Sequence, residues 1–109
     1  MVIQDELVTR VEEFLDKLRK EPQNKHLTFS CHKSKSTNSL YVDVISFIDG
    51  HRLKFSYRFS DHYNSKVKTK IMVKHTKFGF IERKVYTMIK QMKAARYKKW
   101  CQLESRKRK

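Results

Sequence analysis

LYVDVISFIDGHRLKFSYRF, residues 40–59, is the stretch on which the fold turns. Residues 40–48 are apolar at nearly every position, with Asp43 and Ser46 as the polar exceptions. A run that is apolar toward both faces reads as a central strand with helices packed on one side of its sheet. Asp49-Gly50 follows. Asp-Gly between two strand-like runs is a hairpin signal, because both central positions of a tight two-residue turn take positive φ. Residues 51–59 then alternate: Leu53, Phe55, Tyr57 and Phe59 share one face, and Arg52, Lys54, Ser56 and Arg58 share the other. A period of two is the strand period, so this stretch predicts a β-hairpin with one basic face.

Toward the N-terminus, LTFSCHK (27–33) alternates Leu27, Phe29 and Cys31 with polar residues, a third strand signal, and SKSTNS (34–39) has turn composition. Ile3, Leu7, Val11, Phe14, Leu15 and Leu18 recur at helical spacing, which predicts an amphipathic helix over residues 2–20, stopped by Pro22. Toward the C-terminus, SDHYNS (60–65) reads as a turn and KVKTKIMVK (66–74) as a fourth strand. Its Val67, Thr69, Ile71 and Val73 lie on one face, and Lys66, Lys68, Lys70 and Lys74 on the other with Met72. Thr76 is placed as an N-cap for a helix over 77–100, whose apolar stripe is Phe78, Ile81, Val85, Met88, Ile89, Met92 and Ala95. Residues 101–109, ending SRKRK, are expected to form a flexible basic tail. The order α-β-β-β-β-α predicts one α+β domain. It is an antiparallel meander of three to four strands, with an N-terminal helix and a long C-terminal helix on the same face. The other face of the sheet is then open and basic.

The 109 residues fit one domain, and such a domain has little room for an enclosed active site. The 26 Lys and Arg against 11 Asp and Glu give a net charge of +15. The charge is uneven, at −2 over residues 1–24 and +17 over residues 25–109. A field of that size attracts polyanions, and nucleic acid is the usual one, because counterion release favours phosphate binding. The acidic N-terminal helix is expected either to pair with the basic body or to point away from the polyanion. Two cysteines far apart, Cys31 and Cys101, with no secretory leader, give an expectation of free thiols in a reducing, cytoplasmic setting. No apolar run approaches the roughly 18 residues that a membrane span needs.

Motifs that carry chemistry are few. Ser60-Asp61-His62 holds the residue types of a nucleophilic triad, but three consecutive residues cannot bring base to hydroxyl as a triad requires. A turn in which Ser and Asp accept backbone N–H bonds accounts for them better. Cys31-His32, the one adjacent pair among Cys31, His32, His51, His62, His75 and Cys101, points to opposite sides of a strand and makes a poor metal pair. No metal and no cofactor is expected. For a small nuclease the available carboxylates are Asp43, Asp61 and Glu82. Asp43 reads instead as a lone polar strand residue paired with a lysine. Tyr41 and Tyr63 are the candidates for exposed rings on which bases stack.

The order of elements from Ser39 to Met92 resembles that of a group of small phage and mobile-element proteins. It runs from an S-x-Y strand (Ser39, Tyr41) to a strand ending R-x-S-D-H (Arg58, Ser60, Asp61, His62), then a further strand and a capped helix. That group includes a basic, broad-spectrum anti-CRISPR inhibitor of the type II RNA-guided nuclease. The similarity spans about half the chain. The inhibitor opens with a basic disordered arm where this chain opens with an acidic helix, so a function carried by the arm does not transfer. The resemblance implies a phage or mobile-element origin. Residues and resemblance together lead to a non-enzymatic module that binds DNA, RNA or a nucleic-acid-containing protein complex. Arg52, Lys54, Arg58, Lys66, Lys68, Lys70 and Lys74 would contact phosphate, and Lys90, Lys93, Lys98 and Lys99 would extend that contact. The most concrete form is an anti-CRISPR inhibitor. The alternatives are a DNA-binding accessory or regulatory protein of a mobile element, and a small nuclease.

Overall fold

A computed structural model describes residues 5–34, 39–59 and 77–107. Among them the order is helix α1 (Asp5–Arg19), a single 3₁₀ turn (Pro22–Asn24), strands β1 (Leu27–Lys33), β2 (Leu40–Ile48) and β3 (His51–Phe59), and helix α2 (Phe78–Lys107). The sheet is an antiparallel meander in the order β1-β2-β3, so β2 is central as its two-sided apolar character predicts. The expected fourth strand, residues 66–74, and the Thr76 cap lie outside the described residues.

The hairpin forms where Asp49-Gly50 places it. Asp49 has φ 48° and Gly50 φ 79°, the two positive values the turn demands. That turn sets Ile48 opposite His51, and the register runs without a slip to Leu40 opposite Phe59. The same parity holds across β1, where Phe29 meets Val44 and Cys31 meets Val42. Leu27, Phe29, Leu40, Val42, Val44 and Phe59 therefore share one face, and all are buried.

Both helices lie on that face. α1 carries Asp5 and Glu6 in its first turn and Lys17 and Arg19 in its last, the charge order that complements the helix dipole. It buries Val11, Phe14, Leu15 and Leu18. Its end is tied down by side chains. The buried Asn24 amide donates to Leu18 O at 3.1 Å, a last-turn carbonyl that also accepts the Glu21 N–H at 3.2 Å. Arg19 Nη2 donates to Phe29 O at 2.6 Å and so links α1 to β1. α2 buries Ile81, Val85, Met88, Ile89 and Met92. Phe14 joins the helices, with edge contacts to Phe78 at 5.7 Å and Tyr86 at 5.6 Å between centroids. Phe80 meets Phe59 edge-on at 6.1 Å, and Arg96 reaches Ser46 and Phe47, so α2 runs from the far end of β3 toward the hairpin turn.

The basic tail expected from residue 101 is largely helix instead, since α2 continues to Lys107. Residues 101–107 contain no Gly or Pro to stop it, and basic residues in a last turn suit the helix dipole. Lys107 lies 3.7 Å from Asp49 and 3.6 Å from Glu104. These exposed pairs mark where the helix ends and add at most about 1 kcal/mol each. No described helix is long and apolar enough to cross a membrane.

Gly50 has no atom within 4 Å of where a Cβ would stand, so a side chain there meets backbone strain and no clash. Gly50→Ala is expected to cost about 1 kcal/mol of unfolding free energy, from the left-handed conformation alone. Urea denaturation followed by circular dichroism checks this, and an unchanged midpoint would count against the turn assignment.

Candidate nucleic-acid interface

The period of two that buries one face of the sheet presents the other to solvent. Thr28, Ser30 and His32 of β1, Tyr41, Asp43, Ile45 and Phe47 of β2, and Arg52, Lys54, Ser56 and Arg58 of β3 share this face. Register arranges them in rows across the strands: His32–Tyr41–Arg58, Ser30–Asp43–Ser56, Thr28–Ile45–Lys54, and Phe47–Arg52. Arg52, Lys54 and Arg58 are all exposed. Both described helices pack on the opposite face, so neither covers these cations.

Each row has its own chemistry. His32 and Tyr41 stack at 5.0 Å with ring planes 7° apart. The Arg58 guanidinium lies 6.0 Å from the Tyr41 centroid on the β3 side, and its Nε donates to Ser39 Oγ at 2.9 Å. Tyr41 is thus flanked by imidazole and guanidinium, and it is half-buried. The ring expected to be open for stacking is already sandwiched, because cross-strand partners on one face stand within side-chain contact. In the next row Asp43 is buried, and it takes no lysine. Ser30 Oγ donates to its Oδ2 at 3.4 Å and Ser56 Oγ donates to its Oδ1. The register puts serines, not lysines, directly opposite it. Its charge nonetheless lies diagonal to Lys54 and Arg58 and relieves some of their mutual repulsion.

The last two rows add apolar side chains to the expected cations. Ile45 and Phe47 sit on the open face opposite Lys54 and Arg52, and Phe47 is 57% exposed. An apolar run gives no parity of its own, so the outward turn of these residues is visible only through the register. Arg96 of α2 holds this end of β2, donating from Nη1 to Ser46 Oγ at 2.5 Å and to Phe47 O at 2.7 Å.

The remaining expected site residues fall into two groups. Lys66, Lys68, Lys70 and Lys74, together with Ser60, Asp61, His62 and Tyr63, lie outside the described residues. Lys90, Lys93, Lys98 and Lys99 belong to α2, in the layer behind the sheet, and do not extend the strand face. Nor do they form one stripe. At 3.6 residues per turn Lys90 and Lys93 point to one side, Lys98 to the other, and the half-buried Lys99 lies in line with the core stripe. The acidic face of α1 sits in the same rear layer, where Glu6, Glu12, Glu13 and Asp16 are exposed. Both outcomes expected for that helix occur in part: Asp5 lies 3.5 Å from Lys33 at the end of β1, while these four carboxylates point away from Arg52, Lys54 and Arg58.

Asp43 and Glu82 are the described carboxylates a nuclease could use, and the sheet separates them. Glu82 lines a groove of about 320 Å³ between α1 and α2, beside Arg10, Phe14 and Tyr86. Among the described residues no three His, Cys, Asp or Glu side chains cluster as a metal site requires. No protein-family model, curated protein or solved structure matches the chain.

Cys31 and Cys101 are both free thiols, Cys31 half-buried beneath α1 and Cys101 exposed on α2. Burial, and after it the Glu12 carboxylate, push the Cys31 thiol up to about 11. At pH 8 its thiolate fraction is then only about one in a thousand, and the thiolate is the reactive form. Iodoacetamide at pH 8 is expected to modify Cys101 in the folded protein and to reach Cys31 only after unfolding in urea. Peptide mass mapping distinguishes the two sites, and equal labelling of both in the folded state would contradict the burial.

Proposed function

We propose that this protein is a non-enzymatic binding module that grips nucleic acid, or a nucleoprotein through its nucleic acid, with the open face of its sheet. One observation carries the proposal: Arg52, Lys54 and Arg58 stand exposed on the face that neither described helix covers. Arg58 is tied to Ser39 and Tyr41, but Arg52 and Lys54 add nothing to a core that lies on the other side, and the repulsion among the three favours a polyanion as cover. The net charge of +15 and the rearward placement of the α1 carboxylates support the same orientation. A binding role without catalysis fits the occupied oxygens of Asp43 and the separation of Asp43 from Glu82.

Within this proposal, the resemblance over Ser39–Met92 favours an anti-CRISPR inhibitor that docks on a guide-RNA–nuclease complex in the cytoplasm. α1 would not take the part of a basic arm in such docking, because its apolar stripe is built into the core. The second reading, a DNA-binding accessory of a mobile element, draws on the exposed Lys90 and Lys93, which share one side of α2, with Lys98 exposed on its other side.

The test is a salt titration. Binding of a labelled oligonucleotide should weaken steeply between about 50 and 200 mM salt. The triple variant Arg52→Ala, Lys54→Ala, Arg58→Ala should lower the slope of log K against log salt by about 2 for a single strand. All three positions are exposed, so the variant should keep its helical circular dichroism. A slope unchanged in a folded triple variant would sink the proposed face. The inhibitor version further expects capture of the nuclease–guide complex under salt at which bare duplex is ignored.

A further inference from the structure

The open face is not purely cationic, and its apolar part narrows the kind of nucleic acid it fits. Phe47 is the one large hydrophobic residue of the described sheet that is exposed; the other three, Tyr86, Tyr97 and Trp100, lie on α2. Its ring has no aromatic neighbour among the described residues, whereas Tyr41 is closed in by His32 and Arg58. Arg52 is its cross-strand partner, and Ile45 with Lys54 forms the adjacent row. A single ring is thus bordered by a floor of Ile45 and by two cations that differ by one strand repeat, about 7 Å apart.

Phosphate alone has no use for this arrangement. In an undeformed duplex the bases are stacked and paired and the major groove admits a helix or a two-stranded ribbon; a sheet face with an apolar ring reaches duplex bases only by bending and unstacking them, which costs about a few kcal/mol per step. Unpaired nucleotides offer both a π-face and a phosphate at each step, and sheet surfaces that bind them combine aromatic platforms with basic side chains. The platform at Phe47 is also held in place. Arg96 fixes its carbonyl from the helix side, and the Asp49-Gly50 turn lies two residues on.

We infer that the open sheet face selects single-stranded over double-stranded nucleic acid, with one base stacked on Phe47 and the flanking phosphates on Arg52 and Lys54. This rests on the proposed nucleic-acid reading and adds to it the strand form and the stacking residue.

Fluorescence anisotropy with labelled dT12, U12 and a 12-base-pair duplex at about 100 mM salt tests it, using the whole chain and Phe47→Ala, Phe47→Leu and Phe47→Trp variants. The single strands are expected to bind more tightly than the duplex. Phe47→Ala and Phe47→Leu should weaken single-strand binding about tenfold and leave any duplex binding unchanged, and Phe47→Trp should restore it. Position 47 is exposed, so circular dichroism is expected to show all three variants folded. Should one fail to fold, crosslinking of photoreactive 5-iodouridine U12 to the unaltered protein takes its place, with Phe47 as the expected adduct. Duplex bound as tightly as single strand overturns the strand selection while leaving the nucleic-acid proposal standing. Single-strand selection that Phe47→Ala and Phe47→Leu leave intact overturns the role of Phe47. If neither form binds, both proposals fail, and the face belongs to a protein partner.

Discussion

Asp49 and Gly50 hold positive φ in a two-residue turn, and that turn decides which residue of β2 meets which residue of β3. A strand side chain changes face with every step, so a slip of one residue would exchange the two faces of β3. Leu53, Phe55, Tyr57 and Phe59 would go to water, and Arg52, Lys54 and Arg58 would go against Val42 and Val44 in the core. Burying unpaired guanidinium and ammonium groups is far more costly than any turn preference. Turn geometry and hydrophobic pattern therefore demand the same register, and the agreement leaves the hairpin one arrangement. Everything proposed for the open face depends on that parity.

The two-layer architecture divides the charge as it divides polarity. α1 brings its exposed carboxylates to the rear of the molecule, while the described front of the sheet carries three cations and one buried acid. Asp43 is held by two serine hydroxyls in the central row, so the front keeps a net positive charge and a polar, ordered middle. Toward the hairpin turn the front becomes apolar at Ile45 and Phe47. The result is a graded surface, with an aromatic–cation sandwich at the Tyr41 end and an open ring beside Arg52 at the other.

Most of the described fold was legible in the sequence. The three strands begin and end where alternation and turn residues put them, and Pro22 follows the end of α1. Periodicity is a local signal, and these elements obey it locally. The departures have physical causes too. α2 outruns its apolar stripe because helix propensity continues through residues 101–107, beyond Met92, its last buried residue, and Arg96, its last hydrogen bond to β2. Asp43 reads in the sequence as a partner for a lysine, yet it meets Ser30 and Ser56, which only the register brings opposite. Tyr41 was read as an open ring, but no property of residues 39–43 reveals that His32 lies across from it. The lysines of α2 were joined to the strand cations by charge alone, and charge in a sequence has no direction in space.

By itself, the sequence determined the identity of the described elements, the turn at Asp49-Gly50 and the strong positive charge, because each is written in spacing or composition over a few neighbouring residues. Only the tertiary structure decided which cations share a face, that Tyr41 is enclosed while Phe47 is bare, and that the carboxylates of α1 point away from Arg52, Lys54 and Arg58. Those relations join residues remote in the chain, and they come into being only when strands pair in register and helices choose a side.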